Sequence, residues 1–157
     1  MKEKVPVDIL DRIDGFWDSI QKLEKIHSLG ESEFVRNKFL ADLGERNAHY
    51  AIDSLLEVAK YLVEKYGEPV EEKRLIDLLK RKKILHKDHM EIFLEIVRFR
   101  SALLQSYGGA KEYIPIPADE IYRGLVRIRE KLKFLMQVLS ARLHRFQKSY
   151  NPPLSSR

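Results

Sequence analysis

Cysteine is absent from the 157 residues, which excludes disulfides, thiolate nucleophiles and cysteine-ligated zinc. Glycine and proline are sparse, at 7 and 6 residues. No glycine-rich run follows a strand in the way phosphate-cradling loops require. No apolar stretch approaches the roughly 20 residues of a membrane-spanning helix. The opening MKEKVPVDIL has neither the apolar segment nor the small-residue cleavage site of a secretory signal, so a cytoplasmic protein with no membrane role is expected. Apolar–polar alternation never persists long enough to suggest a strand. What the chain does have is 44% hydrophobic and 34% charged residues. That mix can bury a core and still keep a dense ionic surface.

The apolar residues recur with helical period from end to end. Ile9, Ile13, Phe16, Ile20 and Leu23 share one face of a first helix that should end near Gly30. Ser32 is placed to cap a second, long helical segment with Ile52, Leu55, Ala59, Leu62 and Tyr66 inward. Gly44 could bend or split that segment. The sequence YGEP stops it, and VEEKRLIDLLKRKKI forms a shorter helix with Leu75, Leu78 and Leu79 inward. A fourth helix spans about Lys87 to Tyr107, its main stripe being Met90, Leu94, Val97 and Leu104. The last helix begins near Ala118 and carries a heptad-like stripe from Ile121 to Phe146. About five helices with short connections predict an all-α, antiparallel up-and-down bundle. Residues 1–150 read as one domain and 151–157 as a flexible tail. Phe93, Ile96 and Phe99 on the fourth helix, with Phe134 and Val138 on the last, form second apolar faces that a symmetric dimer would bury.

Charge is unevenly placed. Residues 118–150 hold eight basic against three acidic side chains, which accounts for the whole net charge of +5. This face, and the basic run KRLIDLLKRKKILHK, could meet nucleic acid, although a solvated helix face explains both. Of the five histidines only His86 and His89 have ligand-like spacing, and without H-E-x-x-H or a cysteine partner they decorate a helix start. No metal and no cofactor are expected.

The segment EIVRFRSALLQSYGG concentrates reactive groups. Ser101 and Gln105, four residues apart, stack on one helix face. Arg100 lies one step round the helix from Ser101, and its long arm can bend over that face. Tyr107 precedes Gly108 and Gly109, where the chain can turn away. An arginine complementing a helix C-terminus and a tyrosine packing as a cap would give the same pattern with no chemistry.

The order and lengths of ILDRIDGFWDSIQKL, EVAKYLVEKYGEP, RLIDLLKRKKIL and VRFRSALLQSY, from about Val7 to Leu143, resemble the HepT-like family of the HEPN superfamily. These are the RNase toxins of HepT/MntA toxin–antitoxin pairs. The resemblance implies a HEPN-like helical homodimer whose two Arg-x(4–6)-His motifs face each other and cleave RNA without metal. It also implies a minimal nucleotidyltransferase antitoxin, MntA-like, that attaches AMP to the motif tyrosine. Arg100 and Tyr107 stand at the matching positions. Ser101 replaces the asparagine after the arginine, and Gln105 replaces the histidine. An amide cannot carry a proton at useful pH. Within one subunit His89 lies roughly 24 Å from Gln105 along the helix, so only His49, on another helix, could substitute if packing brings it close.

Three functions remain open on the sequence. The chain is a metal-independent RNase in which Arg100 acts and Gln105 and Ser101 orient the substrate. Alternatively, it is a catalytically inactive HEPN homologue, a dimeric nucleotide- or RNA-binding partner of the nucleotidyltransferase that still presents Tyr107. Third, it is a plain basic RNA-binding bundle. Whether it is an enzyme is left undecided by the missing histidine.

Overall fold

The computed structural model describes residues 5–65, 70–106 and 116–150, apart from the side chains of 72, 105, 106 and 145–150. Among these residues there are six helices and no strand: α1 (Val7–Leu29), α2 (Glu31–Arg36), α3 (Lys38–Glu64), α4 (Glu72–Arg81), α5 (Lys87–Ser106) and α6 (Ala118–Tyr150).

The sixth helix comes from a break the sequence did not advertise. Gly30 takes φ +92°, a conformation that side chains resist, and ends α1. α2 then runs for six residues until Asn37 turns extended, with φ −119° and ψ 100°. The Asn37 side chain accepts a hydrogen bond from the Phe39 amide at 3.0 Å and starts α3. Asn37 is therefore the cap, while Ser32 lies inside α2. Gly44 splits nothing; α3 passes through it unbroken. Its role is contact. A Cβ there would lie 2.7 Å from Leu125 Cδ1 and 3.3 Å from Phe34 Cε2, so the missing side chain lets α6 and α2 close on α3.

Cross-helix contacts fix the directions. Arg12 meets Ser54 and Gly15 meets Tyr50, so α1 and α3 are antiparallel. Arg100 meets Asp53 while Phe93 and Val97 line a pocket with Leu56, so α5 runs antiparallel to α3. Gly124 abuts Phe99, and Phe134 abuts His89, so α6 runs antiparallel to α5. Fully buried Phe16, Ile52, Leu55, Leu62, Phe93, Ile96, Leu103 and Ile128 fill the centre, each worth roughly 1.5–3 kcal/mol.

The face of α5 differs from the expected one. Met90 of the expected stripe is buried, but Phe93, Ile96 and Leu103 make the rest of the buried face, Leu94 and Val97 are half-buried, and Leu104 is 46% exposed. The reason is position: α5 packs against α3, α4 and α6 together, so the face assigned to a dimer partner is consumed inside the chain. On α6, Val138 is half-buried and Phe134 remains exposed.

Ion pairs stitch α6 to its neighbours. Arg123 forks onto Glu31 at 3.1 and 3.2 Å. Arg127 and Lys131 share Glu95 at 3.2 and 3.3 Å. Arg129 and Lys133 share Glu24, with Lys133 at 2.9 Å. Five cations of the basic last segment are thus paired with acids on α1, α2 and α5, in keeping with the helix-face reading of its charge.

Gly124→Ala provides a check on this packing. An added Cβ would sit 2.4 Å from Phe99 Cε1, so Phe99 must swing outward. The variant should lose about 1 kcal/mol, because the overpacking penalty exceeds the helix-propensity gain. Phe99→Leu in the same chain should recover the loss in urea denaturation. A Gly124→Ala protein more stable than the native one would show that the contact is not as described.

Candidate active site

Arg100 sits in the last turns of α5 with its side chain 24% exposed, and its Nε donates to Asp53 Oδ1 on α3 at 2.9 Å. A charge-assisted bond of this length, partly shielded from water, fixes the guanidinium more firmly than an exposed pair would. Asp53 lies mid-way along α3, where Ala51, Ile52, Ser54 and Leu55 are all buried. Its place is therefore set by the core packing of α1 against α3.

One turn before Asp53, on the same face of α3, stands half-buried His49. Its pKa is lowered from the ordinary value, first by burial, with the Asp53 carboxylate pulling it up and the Arg100 guanidinium pushing it further down. Both partners of the ion pair therefore act electrostatically on this ring. With its pKa below the usual histidine range, His49 is neutral at physiological pH, the form that accepts a proton. Its Nε2 is buried, while the residue as a whole is half-buried.

A turn earlier again, Glu45 is buried at 7% exposure. Burial, then Asp42, raises its pKa to about 7. Glu45, His49 and Asp53 thus form an ionisable stripe at four-residue spacing, ending on Arg100. Arg12 of α1 lies beside it, over the Tyr50 ring at 5.4 Å and 3.4 Å from Ser54 Oγ.

Of the residues the sequence singled out, Arg100 is half-buried in this cluster, and Ser101, one step round α5, is exposed. Gln105 belongs to the last turn of α5, but its side chain, and the whole of Tyr107, lie outside the described residues. Asp53 escaped the sequence reading altogether. Arg100 and Asp53 are 47 positions apart, and no local spacing links them. His49 was discernible only as a histidine that packing could bring in.

The other histidine pair is a helix start. His86 Nδ1 accepts from the Asp88 amide at 3.2 Å and faces the Asp88 carboxylate at 3.6 Å. No group of three or more potential ligands is placed to hold a metal among the described residues.

This constellation, an arginine late in a helix held by a carboxylate from a neighbouring antiparallel helix, accompanies a family match over residues 17–133, to the model described as Ribonuclease HepT-like. The chain belongs to the HepT-like family. No curated protein matches it in sequence. Its fold is shared with a toxin–antitoxin assembly solved with AMP-PNP, at TM-score 0.68 and 14% identity over 86% of this chain and 99% of that one. It is shared equally with a tri-AMPylated Shewanella oneidensis HEPN toxin solved in complex with its MNT antitoxin, at TM-score 0.70 and 15% identity, covering 87% and 99%. The HepT-like chain therefore has the HEPN toxin fold across most of its length. None of its described helices is long and apolar enough to cross a membrane.

Proposed function

We propose that this HepT-like protein is the toxin of a toxin–antitoxin pair, a homodimeric, metal-independent RNase held in check by a minimal nucleotidyltransferase. The family description supports the RNase reading. The AMP groups and MNT antitoxin of the Shewanella oneidensis toxin support the partner. The observation that carries the reading is the Arg100–Asp53 bond with His49 one turn away. It supplies the two groups RNA cleavage needs, a fixed cation for the phosphate and a histidine for the proton, although Gln105 cannot provide the second.

In this mechanism neutral His49 takes the proton of a ribose 2′-hydroxyl as that oxygen attacks the adjacent phosphorus. Arg100 balances the charge growing on the phosphate oxygens. The bond to the 5′-oxygen breaks, and that oxygen leaves with a proton from water or from the imidazolium of the second copy. Asp53 holds Arg100 in place and favours the imidazolium once it forms. Exposed Tyr50 and Leu104, beside His49 and one turn past Arg100, are the apolar surface a second copy would cover.

A second reading, a partner subunit without nuclease activity, draws on the same ion pair, because a guanidinium turned toward α3 is already partly neutralised. The deciding experiment is incubation of the purified chain with RNA in chelator. Cleavage establishes the RNase. If the native chain is inert and Gln105→His cuts, the site has decayed on an intact frame. For the antitoxin, mixing with the nucleotidyltransferase and ATP should add AMP mass to the native chain and not to Tyr107→Phe. Equal labelling of the two would place the acceptor elsewhere. The added phosphate and nucleoside would hinder RNA at Arg100 by occupation and by repulsion.

A further inference from the structure

Where α4 hands over to α5, the chain folds against the far part of α6 and leaves a cleft of about 590 Å³, lined by Lys80, Lys83, Lys87, His86, His89 and Arg142 over a floor that includes Leu85 and Val138. We infer that this cleft binds the phosphate groups of nucleotides, as a site separate from the Arg100 cluster.

Four observations carry it. No carboxylate lines the cleft. Most cations of α6 are committed to Glu24, Glu31 and Glu95. By contrast, Lys80, Lys83 and Lys87 have no carboxylate partner among the described residues, which leaves uncompensated positive charge concentrated here. Second, the rim is built rather than merely solvated. Arg142 Nη2 donates to the Lys83 carbonyl at 3.0 Å, which ties α6 to the turn. Lys83 itself holds φ +56°, a conformation rare for a side-chain-bearing residue and one that is held where the surrounding structure requires it. Third, His89 Nδ1, on a residue that lines the cleft, is buried with no hydrogen-bond partner among the described residues, a polar atom left unsatisfied behind the cleft wall. Fourth, the His86 and His89 rings meet edge-on at 5.8 Å, and His89 meets Phe134 at 4.9 Å. An aromatic wall beside cations suits a base with its phosphate. The volume is that of a small-molecule site.

The phosphate could come from a free nucleotide or from an RNA strand, and the two are separable. The test is a binding titration of the native protein, with ATP and with a short single-stranded 2′-O-methyl RNA that cannot be cut. Four cations on phosphates predict a log–log salt slope near −3 for the RNA, a loss of roughly 50-fold between about 50 and 200 mM salt. Lys80→Ala with Lys87→Ala should bind on the order of 10-fold more weakly, with the slope reduced by about 1.4. Lys22→Ala with Lys25→Ala, on α1, should change neither. ATP competing for the same lysines identifies a nucleotide subsite, and RNA binding without ATP competition identifies a backbone contact. The inference is overturned if neither ligand binds, or if both bind and the Lys80/Lys87 variant leaves affinity and slope unchanged. Because the readout is binding, it stands or falls separately from RNA cleavage.

Discussion

His49→Gln is expected to lower RNA cleavage by about 10²- to 10⁴-fold, the usual effect of removing a general acid–base. Arg100→Ala is expected to lower it by about 10²- to 10³-fold through loss of charge stabilisation. Glutamine keeps much of the ring's bulk and its polarity but cannot exchange a proton near neutrality, so a folded, inactive His49→Gln chain isolates the chemistry. Arg100→Lys should not rescue, because an ammonium cannot reproduce the planar fork of donors. The pH profile adds a readout that a structural role would not move. A base must be neutral to act, and the His49 pKa is lowered by burial and by Arg100, with Asp53 opposing. The groups in reach are Glu45 and Asp53 on α3 and Arg100 on α5, while Arg12 of α1 is engaged with Ser54 and Tyr50. Native kcat/KM should therefore rise with pH through a point below 6.5 and stay level around neutrality; Asp53→Asn, which removes the opposing charge, should move that point lower still. A His49→Gln enzyme as fast as the native one, or with the same acid limb, would remove His49 from the mechanism while leaving the RNase reading intact.

Helix order and helix ends were legible because they are written locally. Gly30 and the apolar stripes of α1, α3 and α6 each act within a few residues, while YGEP lies outside the described residues. The Asn37 cap is a local exception; elsewhere, where structure and sequence expectation differ, the deciding partner is distant. Gly44 looked like a hinge, yet it is a contact point for Leu125, 81 positions on in the sequence. On α5 two apolar stripes compete, and only packing between α3, α4 and α6 selects Phe93, Ile96 and Leu103 over Leu104. The same limit governs the site. Arg100 stood out from its motif, whereas Asp53 and His49 gain meaning only when α3 and α5 lie antiparallel. Charge was the least legible property. The basic count of α6 left a nucleic-acid face and a plain helix face both open; Glu24, Glu31 and Glu95 pair with five of its cations, while the lysines without a described carboxylate partner lie where α4 passes into α5.

Glu45→Gln is expected to stabilise the protein by about 2–3 kcal/mol at pH 8 and by almost nothing at pH 4. The Glu45 carboxyl is buried on α3, with its pKa raised from 4.5 to about 7, mainly by burial and further by Asp42. A raised carboxyl holds its proton in the folded state at pH values where the unfolded chain has released it. Folding stability contributed by that proton is full below about 4.5 and drains away as pH rises through about 7. Above that point the folded protein carries a buried, poorly solvated charge, and an uncharged amide of the same shape escapes the penalty. Denaturant midpoints of both chains at the two pH values give the answer, and an equal gain at each would mean that Glu45 is not charged at the expense of the fold. The position of the strain bears on function. α3 buries Glu45, Asn47 and Ser54 and half-buries His49 and Asp53, all within ten residues of an otherwise apolar stripe. Stability forgone in one short stretch, next to the arginine proposed to act on RNA, is the pattern expected of a helix kept polar for its chemistry. Glu45→Gln should therefore yield a more stable protein whose RNA cleavage is no faster than the native chain's. If both stability and cleavage rose together, the carboxyl would be a packing defect with no connection to the site.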